Sequence, residues 1–138
     1  MALTITDVSK SAAEVGIAAV TLDNGATAVG AEIDRGADVA VEGVTALLTV
    51  TGFAAAPSAG GYMTVRLAPL DGTGGTLFDD QTNVGVVPVT ADALYNAPVP
   101  LAWPAGCRYV KAIVGNASGQ NTDADAVSLE LRWQAVTV

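Results

Sequence analysis

RYVKAIVGNASGQNTDADAVSLELRWQAVTV, residues 108–138, is the stretch whose reading decides the fold. It divides into two extended runs, 108–114 and 126–136, joined by a polar loop at 115–125. In the second run Val127, Leu129, Leu131 and Trp133 fall on one side, and Ser128, Glu130, Arg132 and Gln134 on the other. A period of two marks a strand with one face in a core and one in water. The first set is expected to build the core. The outward set, and the loop residues 116–125, are expected to be left free for solvent or a partner. The two runs read as a strand pair that closes the domain.

Upstream, the same alternation recurs in short pieces. Leu3 and Ile5 alternate with Thr4 and Thr6, so residues 1–10 read as a short strand or extended arm. Gly16 and the β-branched Val15, Ile17 and Val20 argue against a long helix, which leaves irregular structure or a strand over 16–21. Asp23-Asn24-Gly25 is a turn. Residues 44–53 form a strand with apolar residues on both faces, expected to be central and covered on each side. An uncharged, flexible loop at 54–61 leads into a strand at 62–70, a glycine-rich hairpin loop at 71–75 and a return strand at 76–79. Pro88 places the strand at 84–90 at an edge or bulge, and Pro98 and Pro100 make 97–103 an edge strand or an extended crossing segment. Residues 91–96 fit one helical turn. The sum is seven to nine short strands with turns between them, an all-β jelly roll or antiparallel β-sandwich. The 138 residues form a single domain.

Charge and composition narrow the function classes. Fourteen acidic residues against six basic ones give a net charge of −8. That balance opposes binding to nucleic acid or to an anionic membrane. The first ten residues lack a basic region followed by an apolar run, so a protein made in the cytoplasm is expected. One cysteine, Cys107, rules out an intrachain disulfide and any multi-cysteine metal site.

No histidine is present, which removes the commonest general base and the nucleophile systems built on it. Asp79 and Asp80 are adjacent and read as turn formers. Cys107 has Arg108 beside it but no base, and reads as a small buried hydrophobe. Asp71-Gly-Thr-Gly-Gly75 lacks the lysine and following helix of a phosphate-binding loop. Asn121, Asp123 and Asp125 alternate as calcium ligands do, but Ala126 and Arg132 stand where such a loop needs Gly and Glu. No catalytic residue, cofactor or metal is expected. Among the aromatics, Trp133 belongs to the core face, whereas Trp103, flanked by prolines, is the better candidate for an exposed contact.

The pattern RYVKAIV, an Asn/Gly-rich loop and VSLELRW resembles the end of small virion proteins of tailed bacteriophages. The family it is most similar to is the capsid cement, or decoration, protein of short-tailed phages. The resemblance implies a jelly roll with no catalytic residues. Such a protein binds as a small oligomer, a homodimer by preference, to the outside of the capsid and clamps neighbouring major capsid subunits. Its place would be the capsid surface of the virion. Leu3 and Ile5 of the arm, with Trp103, are the candidate partner contacts. The alternative is a ligand- or carbohydrate-binding β-sandwich of a phage tail or fibre, which predicts an exposed aromatic groove or a calcium site.

Overall fold

A computed structural model describes residues 8–10, 14–37, 39–73, 75 and 84–137. These form ten strands and no helix: β1 (Val8–Lys10), β2 (Glu14–Val20), β3 (Thr27–Val29), β4 (Ile33–Asp34), β5 (Val39–Val50), β6 (Tyr62–Pro69), β7 (Val84–Pro88), β8 (Tyr95–Leu101), β9 (Tyr109–Ala117) and β10 (Val127–Thr137). They make two antiparallel sheets. In the first, β1 and β2 lie in succession along one edge of β10, followed by β5 and then β8. In the second, β3 and β4 lie along one edge of β9, followed by β6 and β7.

Counting each broken edge as one strand leaves eight positions, four per sheet. Numbered along the chain, their orders are 1-8-3-6 and 2-7-4-5, the two interleaved Greek keys of a jelly roll. The ten strands exceed the expected seven to nine because both outer edges are interrupted, as at the glycine and loop between β3 and β4.

The C-terminal stretch occupies the middle of both sheets. Its two strands are not partners. β9 pairs with β3, β4 and β6, and β10 with β1, β2 and β5. They face each other across the core, so the expected pair is corrected to a crossover between layers. Local alternation reports which face is buried, but not which strand lies alongside.

The core lies between the sheets. Val127, Leu129, Leu131 and Trp133 all point into it and are at most 6% exposed. They meet Val44, Leu48 and Val50 of β5, Met63, Val65 and Leu67 of β6, and Val110, Ala112 and Val114 of β9. β5 is central, but one side only is fully covered. Val44, Ala46, Leu48 and Val50 are buried, while Thr45 is exposed and Leu47 and Thr49 half-buried. The apolar Leu47 on the outer face gave the false expectation of two covered sides.

Both flanks of the sandwich close through glycines. A Cβ on Gly85 of β7 would collide with Val99 of β8, and one on Gly30 with the Gly16 carbonyl of β2. Bare backbone at these points lets the edges of the two sheets approach. The prolines sit where expected, on the edge strands β7 and β8. Pro98 and Pro100 pair with Leu47 and Thr45, at positions whose missing N–H would point away from β5. They remove outward donors from the free edge of β8. Residues 91–93 make a bend, and β8 starts at Tyr95, so the expected helical turn is absent. In its place the Tyr95 hydroxyl accepts from the N–H groups of Thr90 and Ala91, both at 3.0 Å, and donates to the Ala91 carbonyl at 3.1 Å. The return strand expected at 76–79, and Asp79 and Asp80 with it, lie outside the described residues.

Candidate functional site

Two ends of the sandwich collect the polar chemistry. At one end the β9–β10 connection meets the β2–β3 turn and the loop after β5. Asn116 is its hub, 3% exposed. Its Nδ2 donates to the Leu22 and Gln120 carbonyls, both at 2.9 Å, and its Oδ1 accepts from the Ser118 N–H at 3.0 Å. Its backbone bonds Gly25 and Ala26 in the turn. Thr122 repeats the pattern: its Oγ1 accepts from the Leu22 N–H at 2.9 Å, and its N–H donates to the Leu22 carbonyl at 3.1 Å. Ser58 and Ala54 donate backbone N–H groups to Ser118 and Asn121 at 2.8 and 2.9 Å. The loop at 54–61 is thereby tied down rather than free.

This network corrects the expectation for part of 116–125: Ala117, Gly119, Asn121 and residues 123–125 are exposed as expected, but three polar residues turn inward. Asn116, Ser118 and Thr122 are buried, and buried polar groups hold a fold in one arrangement when each is satisfied. No buried side-chain polar atom among the described residues lacks a partner.

The calcium-like spacing resolves into turn chemistry. Asn121 Oδ1 accepts from the Asn24 N–H at 2.9 Å. The Asp123 carbonyl accepts from Ala126 N–H at 3.3 Å. Asp125 takes a left-handed φ of 51° and donates its N–H to Thr21 Oγ1 at 2.9 Å, a conformation that Asp tolerates. Asp92 and Asp123 both approach Gly52, a proximity that chain order does not reveal. Asp92 is also engaged by the Phe53 N–H at 2.9 Å. Among the described residues no three His, Cys, Asp or Glu side chains are grouped to hold a metal ion.

At the opposite end stands Trp103. It is half-buried, and its ring lies 5.4 Å from that of Trp133, inclined at 55°. Its Nε1 donates to the Cys107 carbonyl at 2.8 Å, and the same oxygen accepts from Arg35 Nε at 2.8 Å. The 104–107 turn closes through Cys107 N–H to the Pro104 carbonyl at 3.2 Å, with Gly106 at a φ of 73°. Cys107 is half-buried, more exposed than its sequence reading implied. Arg35, Val41, Trp103 and Pro104 line an open concavity of about 260 Å³.

Beside this corner Arg108 grips Asp34 through two bonds, at 2.7 and 2.9 Å, and its guanidinium lies 5.1 Å from the centre of the Tyr109 ring. The Arg108 hydrogen bond holds the Asp34 carboxyl below its usual range, with the Gly36 N–H and the charge of Arg35 adding to the effect. Both partners remain about two-fifths exposed, so the pair fastens β4 to the start of β9 only modestly.

Of the candidate contacts named from sequence, Trp103 is thus placed as a half-buried bracket that helps line the concavity. Leu3 and Ile5 lie outside the described residues. The aromatics do not assemble into one platform. Trp103 and Tyr95 bracket opposite ends of β8, roughly 25 Å apart along the extended chain, and Tyr62 lies on the other sheet. Arg35 was missed from sequence because an isolated arginine in a small-residue stretch carries no local pattern.

Compared with known proteins, the chain matches no protein-family model, and a search of the curated proteins returned no match.

Proposed function

We propose that the protein is a structural virion component that binds the outside of a tailed-phage capsid and clamps adjacent major capsid subunits. The reading rests on one observation, the resemblance of residues 108–134 to the end of phage cement proteins. Those residues supply the middle strands of both sheets of a jelly roll, the fold that the resemblance implies. A cement function asks for a stiff body with large surfaces rather than a reactive cleft, and many weak identical contacts on a shell add up through multivalency. A non-enzymatic role without cofactor, located on the virion surface, belongs to the same proposal.

The test is co-sedimentation with shells assembled from the major capsid protein encoded in the same genome. Saturable binding and a raised shell melting temperature are expected. Shells that sediment bare at saturating protein refute the proposal.

One observation favours a second reading. The concavity lined by Trp103 and Arg35 joins an aromatic ring to a guanidinium whose Nε and Nη1 are held by the Cys107 and Gly36 carbonyls, a combination suited to an acidic sugar in a tail or fibre module. A glycan array separates the two: binding there, without shell binding, selects the second.

A further inference from the structure

Alone among the asparagines of the chain, Asn24 is followed by glycine. The pair sits at the corner between β2 and β3, and both residues are exposed. Ala26 donates its N–H to the Asp23 carbonyl at 3.0 Å, which closes the turn. Gly25 has a φ of 82°, while Asn24 is not left-handed, so the turn is of type II. A Cβ on Gly25 would meet nothing within 4 Å. Glycine is required here for its backbone angle rather than for space.

The turn thus contains a chemically labile pair. A glycine nitrogen has no Cβ beside it to hinder attack on the carboxamide of the asparagine before it. Two features restrain that attack. A type II turn sets ψ at its second residue to about +120°, which points the Gly25 nitrogen away from the Asn24 side chain. Ring closure needs that peptide unit rotated to the other side. Three hydrogen bonds oppose the rotation. Gly25 donates its N–H to the Asn116 carbonyl at 2.8 Å. Asn24 donates its N–H to Asn121 Oδ1 at 2.9 Å, and its own Oδ1 accepts from the Gly119 N–H at 2.9 Å. The last bond polarises the carboxamide and by itself would favour attack; the withheld nucleophile outweighs it. Together, three such bonds hold the open population down roughly ten- to a thousandfold.

We infer that Asn24 is a deamidation site that the fold keeps dormant, and that opening of the β9–β10 connection exposes it to a one-way modification. In the opened chain the Gly25 nitrogen gives its proton to hydroxide and forms a bond to Asn24 Cγ. The Cγ–Nδ2 bond breaks, and Nδ2 takes a proton from water and leaves as ammonia. A cyclic imide remains. Water then opens either of its two C–N bonds, giving aspartate or isoaspartate at position 24. Isoaspartate adds a backbone carbon to the turn, so the N–H groups of Gly25 and Ala26 no longer reach Asn116 and Asp23 together. A copy that stays open long enough to react does not close again in the same form. The inference concerns this chain alone and is independent of the capsid reading.

The tryptic peptide 11–35 contains Asn24 and no other Asn or Gln, so mass spectrometry of it reads conversion at this position alone, and chromatography separates the isoaspartate form. The native protein, the same chain in urea and the native Asn121→Ala variant are incubated at mildly alkaline pH. Asn121 is exposed, and replacing it releases one of the three bonds while the chain stays folded. Conversion in the native protein is expected to be at least about tenfold slower than in urea. Asn121→Ala should raise the native rate roughly two- to tenfold, and the isolated isoaspartate form should melt below the unmodified protein. Equal rates in native buffer and in urea overturn the protection, and an unreactive chain in urea overturns the site. An Asn121→Ala rate equal to that of the wild type overturns the clamp. An isoaspartate form with an unchanged melting temperature overturns the one-way character.

Discussion

Replacing Asn116 with leucine, which is close in size and shape, should be among the costliest single changes in the molecule. The side chain is 3% exposed and makes three hydrogen bonds, to the Leu22 carbonyl, the Gln120 carbonyl and the Ser118 N–H. The three losses are unequal. The Leu22 carbonyl keeps the Thr122 N–H, and the Gln120 carbonyl keeps the Ser118 hydroxyl. The buried Ser118 N–H has no second partner in this network. Stranding it costs about 1–3 kcal/mol, and each lost bond about 0.5–1.5 kcal/mol net. The added apolar volume returns about 1–2 kcal/mol. The balance is a destabilisation of roughly 2–4 kcal/mol, a large part of the 5–15 kcal/mol typical of a domain. For a chain of this size that is a fall in Tm of roughly 8–16 °C. Urea unfolding followed by tryptophan fluorescence measures it directly, since Trp103 and Trp133 report on the opposite end of the sandwich. A destabilisation under about 0.5 kcal/mol, the range of ordinary surface changes, would refute the claim that this loop is a structural keystone.

Other outcomes follow from the same geometry. Gly85→Ala places a methyl against Val99 and should cost about 1–3 kcal/mol by overpacking, measurable by calorimetry. Leu131→Ala, fully buried in β10, should cost about 2–5 kcal/mol and appear as a matching shift in denaturation midpoint. Pro98→Thr with Pro100→Thr restores outward N–H groups on β8 and should increase concentration-dependent aggregation, read by light scattering, without lowering Tm. The lowered pKa of Asp34 means that its pairing with Arg108 stabilises the fold above the ordinary carboxylate pKa of about 4 and is lost as pH falls through the lower folded value. Exposure of both groups limits this to under about 1 kcal/mol. Asp34→Asn should remove that part of the acid dependence by lowering neutral-pH stability by the same amount, under about 1 kcal/mol.

The residues differ in how plainly they announced their places. Val127, Leu129, Leu131 and Trp133 were legible because a two-residue period on one strand reflects a single local cause, burial of one face. Pro88, Pro98 and Pro100 were legible because a missing N–H is incompatible with an inner strand. Strand partnership was not legible. β9 and β10 adjoin in sequence but lie in different sheets, and sheet order depends on contacts that no window of neighbours contains. The polar loop misled for the same reason. Asn116 and Thr122 resemble solvated turn residues until Leu22, 94 and 100 residues away, is brought to them. The outward set Ser128, Glu130 and Arg132 was read as available to a partner. Trp103 was legible as an aromatic outside the alternating core, but not as the bracket that ties Cys107 to Trp133.

The most direct measurement of the capsid proposal is an image reconstruction of shells incubated with the purified protein. The proposal predicts a jelly-roll-shaped density on the outer surface at each occupied position, in contact with two neighbouring capsid subunits. Shells whose outer surface is unchanged at saturating protein, or density confined to the tail, would contradict it.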